Sequence, residues 1–162
     1  MRKELTIREM LIRRATQEEL PALGALAWAS FEAKVVPWTS EEGIAEYRRF
    51  CTFEAMLSRL QEGNSFWLCA VDGTTVAMAE TRDGSHLVML FVDPCAFGQG
   101  YGKALLQEVL KQEQLAHGTS GEWTVSSSPN AVDFYAAAGF KSLGAEQIKN
   151  GLRFQPMRLA DS

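Results

Sequence analysis

The sequence predicts a single α/β (α+β) domain in which helices flank a mixed central sheet. The chain has 162 residues, of which 46% are hydrophobic and 22% charged, and this suits one domain with its own core. Asp-Gly pairs at 72–73 and 83–84 separate three strand-like runs, which indicates an antiparallel meander. A helical segment then links the run ending near 92 to one beginning near 122, and such a crossover makes those two strands parallel.

Composition and charge exclude several classes of protein. No apolar run approaches the ~18 residues of a membrane span, and the charged N-terminus has no signal-peptide core. We therefore expect a cytoplasmic protein with no membrane partner. A net charge of −4 without a basic cluster argues against nucleic acid. The widely spaced Cys51, Cys69 and Cys95, with only two histidines, predict neither disulfides nor a metal site.

The N-terminal part predicts a strand followed by helices. Residues 10–16 have strand character, and 16–31 predict a helix in which Thr16 and Glu19 have the spacing of a capping box. Residues 39–63 predict one or two short helices. Their caps would be Ser40 or Thr52, with Gly63 as the stop.

Residues 1–9 contain few apolar side chains. We expect them to be a disordered extension, or not to be part of the protein at all if Met10 is the true first residue. The domain itself would then span residues 10–160.

The meander comprises predicted strands at 66–72, 75–82 and 85–92, and the last is almost wholly apolar, as a central strand should be. An amphipathic helix follows and ends near Gly118. The remaining elements are a strand at 122–128, a short helix at 130–139, and closing strands at 140–144 and 152–159.

The segment FVDPCAFGQGYGKALL, residues 91–106, carries the first functional signal. Glycines directly before a helix leave unpaired N–H groups and a partial positive charge accessible to an anion such as phosphate. It is not a Walker A loop, because Phe97 and Ala104 stand where glycine and Ser or Thr are required. It is not a dinucleotide fingerprint either, because Lys103 or Leu105 stands at the third glycine.

The segment resembles motif A of the GNAT superfamily of acyl-CoA-dependent N-acyltransferases, a strand ending V-x-P followed by R/Q-x-x-G-x-G/A. Val92, Pro94, Gly100 and Gly102 match, whereas Phe97 replaces the usual Arg or Gln. The resemblance implies that main-chain amides of this loop hold the coenzyme A pyrophosphate. The residues concerned are Phe97, Gly98, Gln99, Gly100, Tyr101, Gly102 and Lys103.

A second segment, SSSPNAVDFYAAAGF, resembles motif B of the same family. The matching residues are Asn130, Phe134, Tyr135, Gly139 and Phe140. The resemblance thus covers nearly all of residues 10–160. It implies a GNAT fold in which the two parallel strands splay apart.

The resemblance also implies a reaction, transfer of an acetyl group from acetyl-CoA to a primary amine by direct attack in a ternary complex. Leu90, Phe91 and Val92 would pair with the pantetheine arm, Asn130 would contact the cofactor, and Tyr135 would act as general acid beside the sulfur. Cys95 is incidental, because direct transfer needs no acyl-enzyme.

The general base is left open between His86, Glu80 and water. His86 occupies the position at which many relatives carry Glu, and by strand alternation it would share a face with Val88, Leu90 and Val92. A simple histidine near the Asp83-Gly84 turn is an equal alternative.

For the acceptor, the resemblance points to residues 28–45. The aromatic and acidic side chains there, Trp28, Phe31, Glu32, Trp38, Glu41 and Glu42, would suit a cationic amine on a small molecule or peptide, although helix packing with a solvated acidic face explains them as well.

Two other functions remain open, a non-catalytic acyl-CoA sensor and a dimeric assembly module. We expect a homodimer in either case, because closing strands in this fold often pair between subunits.

Overall fold

The computed structural model describes residues 9–118 and 122–160, and within them eight strands and five α-helices form the predicted mixed α/β architecture. The strands are β1 (Met10–Arg14), β2 (Ser65–Val71), β3 (Thr74–Arg82), β4 (His86–Val92), β5 (Thr124–Ser127), β6 (Phe140–Ser142), β7 (Gln147–Lys149) and β8 (Leu152–Leu159). The helices are α1 (Leu20–Lys34), α2 (Glu41–Phe50), α3 (Phe53–Gln61), α4 (Tyr101–His117) and α5 (Val132–Ala137). The predicted fold class is confirmed.

The sheet has the strand order β1-β2-β3-β4-β5-β8-β6, and β7 pairs with β8. Only β4 and β5 run parallel among the described strands. The turn at Asp72-Gly73 has φ of 50° and 82°, and the turn at Asp83-Gly84 has φ of 56° and 64°. Both Asp-Gly hairpins are therefore confirmed, with strand bounds within about one residue of those predicted.

Two apolar clusters cover the two faces of the sheet. Alternation along β2 sends Trp67 to the cluster beneath α4 and α5, and Phe66 to the cluster beneath α1 and α3. Leu105 and Val109 of α4 are fully buried in the first cluster, as their spacing predicts. Helices thus pack on both faces of the sheet, and this packing fixes the position of β4 at its centre.

The predicted helix caps form at the predicted residues. Glu19 accepts the Thr16 main-chain N–H at 2.9 Å, although the α-helix itself begins at Leu20 after a short 3₁₀ turn. Ser40 accepts the N–H of Gly43, and Thr52 accepts that of Ala55.

Strand β7 is the element that the sequence analysis missed. It forms a hairpin with β8 through Asn150-Gly151, whose φ values of 53° and 78° suit a two-residue turn. The predicted closing strand 140–144 is correspondingly shorter and ends at Ser142.

The predicted N-terminal extension falls largely outside the described residues, because residues 1–8 are not described. Glu9 continues the β1–β2 ladder, since its carbonyl accepts the Asp72 N–H at 2.9 Å. None of the helices in residues 9–118 and 122–160 is long and apolar enough to cross a membrane.

Candidate active site

The parallel strands β4 and β5 pair only at their first residues. His86 lies opposite Thr124 and Leu87 opposite Val125, and no further pair follows in the described ladder. Beyond this point the strands diverge around a cavity of about 430 Å³. One wall is residues 88–91 of β4 and the opposite wall is residues 125–128. We call this space the strand cavity; it leaves the main chain of β4 accessible on the side that faces β5.

A β-bulge in β4 occurs where the strands begin to diverge. Glu80 of β3 lies opposite Met89, but the next residue, Thr81, lies opposite Leu87, so Val88 is the extra residue. The bulge reverses the alternation of β4. His86 consequently shares a face with Met89 and not with Leu90, which corrects the predicted arrangement.

The glycine loop between β4 and α4 borders a second cavity of about 660 Å³, which we call the loop cavity. All seven predicted loop residues, 97–103, line it, together with Val92. Gly98 and Gly100 have φ of 77° and 83°, the left-handed region that favours glycine. A Cβ at either position would meet nothing within 4 Å, so the space above the loop is open.

Helix α4 begins at Tyr101 with Gly100 as its N-cap, and no side chain caps it. Its first-turn N–H groups are therefore available to a ligand, and the helix dipole adds a partial positive charge there. Gly102 has a different role. A Cβ there would lie 3.2 Å from Val92 Cγ2 and 3.6 Å from the Phe134 ring, so this glycine allows α4 to pack closely against β4 and α5.

Phe97, the residue that departs from the motif, contacts a lysine side chain from helix α1. The ammonium of Lys34, the last residue of α1, lies 4.6 Å from the centroid of the Phe97 ring. This distance is typical of a cation–π contact.

Tyr135 lines the strand cavity with a side chain that is almost fully buried. Its ring packs edge-on against Phe134 and Phe140, with centroids 5.1 and 5.5 Å away. Burial raises the pKa of the Tyr135 hydroxyl well above its usual value, so the phenol stays protonated and acts as a hydrogen-bond donor. Leu90 and Phe91 line the same cavity. Asn130 is exposed, while its neighbours Pro129 and Ala131 line the cavity.

Glu80, one candidate base, is held in a buried ion pair. Its carboxylate is fully buried and accepts hydrogen bonds from Arg59 at 2.8 and 3.0 Å and from Asn64 at 2.8 Å. Both oxygens are thus engaged.

His86, the other candidate, lies at the closed end of the strand pair, and its Nδ1 is 2.7 Å from Thr124 Oγ1. Burial, with a smaller effect of Arg82, lowers the pKa of His86, which favours the neutral imidazole. His86 is not among the described residues that line either cavity. The same holds for Cys95, whose thiol is free.

The strand cavity brings together only some of the residues that the sequence analysis placed near the acceptor. Phe31 and Trp38 line it, but Trp28, Glu32, Glu41 and Glu42 do not. Trp28 instead stacks beneath the guanidinium of Arg48 at 4.6 Å, and the three glutamates are exposed on the surface. For these four residues the alternative of helix packing with a solvated acidic face fits, because Trp28 packs against the cluster beneath α1 and α3 and the glutamates face solvent.

The sequence analysis missed lining residues from α2 and from the β7–β8 hairpin. They are Glu46, Tyr47 and Phe50 of α2, and Lys149, Asn150, Leu152, Arg153 and Phe154 of the hairpin. The Asn150-Gly151 pair was a usable signal for this hairpin.

The hairpin is held against the start of α2. Ser40 Oγ donates to the Gly151 carbonyl at 3.0 Å, and Gly43 packs directly on the same carbonyl. Two of the charged lining residues are paired, Glu46 with Arg49 at 2.6 Å and Arg153 with Glu146 at 3.1 Å.

A diverging parallel strand pair beside an uncapped, glycine-lined helix N-terminus defines the class of N-acyltransferases that the motifs indicated. The chain belongs to the GNAT family of acetyltransferases, because the family model described as Acetyltransferase (GNAT) domain matches residues 35–160. It is an N-acetyltransferase.

Curated relatives and solved structures agree with this assignment. The chain is 31% identical to the peptidyl-lysine N-acetyltransferase YiaC of Escherichia coli over 80% of this chain and 82% of YiaC. It is 29% identical to the peptidyl-lysine N-acetyltransferase YjaB of Salmonella typhimurium over 85% of this chain and 87% of YjaB. A GCN5-related N-acetyltransferase from Rhodopseudomonas palustris superposes with a TM-score of 0.79 at 25% identity, covering 91% and 93% of the two chains. The PaiA N-acetyltransferase of Thermoplasma acidophilum, solved with coenzyme A, shares the fold with a TM-score of 0.73 at 24% identity over 94% and 99%.

Proposed function

We propose that this N-acetyltransferase transfers the acetyl group of acetyl-CoA to the side-chain amine of a lysine in a peptide, by direct attack in a ternary complex. The observation that carries the proposal is the meeting of two cavities on β4. Leu90 and Phe91 line the strand cavity and the next residue, Val92, lines the loop cavity. The names of the relatives YiaC and YjaB support lysine as the acceptor.

The described residues fit coenzyme A. The open space above Gly98 and Gly100 and the uncapped start of α4 suit its diphosphate. The edge of β4 that β5 leaves after Leu87 suits the amide groups of the pantetheine arm. When bound, acetyl-CoA supplies the thioester as the acetyl donor.

Main-chain N–H groups of residues 90–92 would donate to the thioester carbonyl as negative charge develops on its oxygen. The amine nitrogen forms the new bond to the acetyl carbon, the carbon–sulfur bond breaks, and the amine loses a proton. Tyr135, protonated and almost fully buried in the strand cavity, would donate a hydrogen bond to the departing sulfur.

The amine must lose its excess proton before it attacks. Glu46 is the one carboxylate among the described residues that line the strand cavity, and it would draw the lysine ammonium towards the entrance in exchange for its exposed partner Arg49. As the proposed general base, His86 would accept this proton through a water molecule, since His86 is not among the described residues that line either cavity. A His86→Gln variant should then lose kcat and the acidic limb of its pH–rate profile, whereas an unchanged profile would remove His86 from the mechanism.

The cofactor part of the proposal is tested first by thermal unfolding with acetyl-CoA, coenzyme A and ADP, beside the variant Gly100→Glu. At a hundred times Kd, binding should stabilise the native state by about 2.7 kcal/mol. Gly100→Glu should remain folded, although the φ of 83° strains a residue with a Cβ and lowers its stability, and it should lose the shift because its side chain would occupy the open space above the loop. No shift in the parent protein would contradict the proposal and favour an assembly module.

Acetylation is then measured by thiol release with three acceptors, a lysine peptide blocked at its N-terminus, the same peptide with a free N-terminus and acetyl-lysine, and a polyamine. Release with the first and not the others supports the lysine acceptor. Binding without release from any amine would support a sensor.

A further inference from the structure

Lys34 is the feature near the loop cavity that neither motif explains. It ends α1, far from the motifs in sequence, yet its Nζ lies 4.6 Å from the centre of the Phe97 ring. Phe97 itself lines the loop cavity. Lys34 is not itself among the described residues that line the loop cavity, so the Phe97 ring, which contacts the ammonium and also lines the cavity, is the link between the two.

The loop cavity has few positive charges of its own, so the nearby ammonium of Lys34 matters for binding an anion. The diphosphate of coenzyme A carries two negative charges at neutral pH, while the protein has a net charge of −4. Among the described residues that line the loop cavity, Lys103 is the one charged side chain. Main-chain N–H groups supply only partial charges, so a second full positive charge nearby would strengthen anion binding substantially.

Phe97 also constrains where the ammonium can go. A lysine on an exposed helix end samples many rotamers, and holding it against an aromatic face removes part of that freedom before a ligand arrives. The contact therefore keeps a cation ready at the edge of the loop.

We propose that Lys34 binds the diphosphate of coenzyme A from α1, with the Phe97 ring positioning its ammonium at the edge of the loop cavity. This inference rests on the proposed use of acetyl-CoA. Phe97 stands at the motif position usually held by Arg or Gln and cannot itself contact the diphosphate through a polar side chain. In this proposal Lys34 makes that contact, and Phe97 positions Lys34.

The test is the affinity of coenzyme A and of 3′-dephospho-coenzyme A, measured by calorimetry for Lys34→Gln and for the control Lys111→Gln. The control removes the same charge at an exposed position about 15 Å along α4 from the loop. We expect Lys34→Gln to weaken both ligands about five- to tenfold and Lys111→Gln to change neither by more than about twofold. Lys34→Arg should bind as the parent does, and Phe97→Arg should restore affinity in the Lys34→Gln background.

Each other result overturns the inference in a recognisable way. Equal binding by Lys34→Gln and the parent would show that Lys34 only packs on Phe97. A loss confined to coenzyme A would assign Lys34 to the 3′-phosphate and not to the diphosphate. An equal loss in Lys111→Gln would show a general charge effect. If the parent binds neither ligand, the proposed cofactor fails and this inference fails with it.

Discussion

At Tyr135, burial and chemistry act in the same direction. The surroundings that bury its ring among Phe134 and Phe140 also raise the pKa of its hydroxyl. A phenol that cannot ionise near neutral pH is always a donor, which suits a hydrogen bond to a departing thiolate. The sequence predicted this residue because an aromatic pair at a fixed spacing from a glycine is a local motif. It named Glu80 as a candidate base but could not predict the pairing of Glu80 with Arg59, because that pairing joins distant segments.

Tyr135→Phe should lower kcat about 10- to 100-fold while leaving the KM for acetyl-CoA and the unfolding midpoint nearly unchanged, because the ring contacts persist. Tyr101→Phe is the comparison variant, since it removes a hydroxyl whose hydrogen bond among the described residues is to Gln99, at 3.3 Å, and it keeps the main-chain amide of the loop; its kcat should fall much less. Steady-state kinetics measure both. An unchanged kcat in Tyr135→Phe would remove the hydroxyl from the chemistry.

Glu19 makes the start of α1 sensitive to acid. Hydrogen bonds from Arg13 and from the Thr16 main chain lower its pKa from 4.5 to about 2. The folded state holds this carboxylate ionised while the unfolded state takes up a proton, so its stabilisation is complete above pH 4.5 and is lost as the pH falls towards 2. Denaturant unfolding between pH 6 and 3 should show a smaller loss of stability in Glu19→Gln than in the parent. Equal slopes would contradict this assignment.

At the scale of elements, local signals predicted what local chemistry decides. The Asp-Gly turns, the Ser40 and Thr52 caps and the glycine stop of α4 formed where they were expected, because each depends on a few neighbouring residues. The bulge at Val88 did not have such a signal. It arises from the pairing of β3 with β4, and it alone moves His86 to the opposite face from Leu90.

Helix α3 is anchored to the sheet by the buried pair of Arg59 and Glu80. Arg59→Gln should destabilise the protein by about 3–5 kcal/mol, because it leaves a fully buried carboxylate without its positively charged partner, with only the Asn64 amide remaining of its three described hydrogen bonds. Arg49→Gln breaks an exposed pair on α2 and should cost less than about 1 kcal/mol. Urea unfolding of both variants measures the difference. A similar loss of stability in the two variants would mean that water replaces Arg59 as the hydrogen-bond partner of the Glu80 carboxylate.

At the scale of the whole molecule, the two cavities differ in how far apart in sequence their residues lie. The loop cavity is built mainly from one continuous motif, which explains why all seven of the predicted loop residues line it together. The strand cavity combines α1, α2, both splayed strands and the β7–β8 hairpin. The side that we assign to the acceptor depends on how α2 is rotated and on where the hairpin docks, and neither is encoded by neighbouring residues.

The docking of the hairpin onto α2 gives a prediction that links packing to the acceptor. A Cβ on Gly43 would overlap the Gly151 carbonyl and lie 2.7 Å from Thr39 Cγ2. Helix propensity alone would make Gly43→Ala more stable by about 0.5–1 kcal/mol. The overlap opposes this gain, and because the obstructing atom belongs to the main chain, no side-chain rotation relieves it. We therefore expect a net destabilisation of about 1–3 kcal/mol.

The same substitution should displace the hairpin from one wall of the strand cavity while the glycine loop stays in place. The KM for the acceptor should accordingly rise several-fold, with the KM for acetyl-CoA unchanged. Ala45→Gly, on the exposed side of α2, weakens the helix by about 1 kcal/mol without touching Gly151 and should alter neither constant. If Gly43→Ala is stabilised and keeps its acceptor KM, the hairpin moves freely and does not shape the acceptor site. If both constants rise together, the two cavities are coupled through β4, and the acceptor side is not an independent part of the molecule.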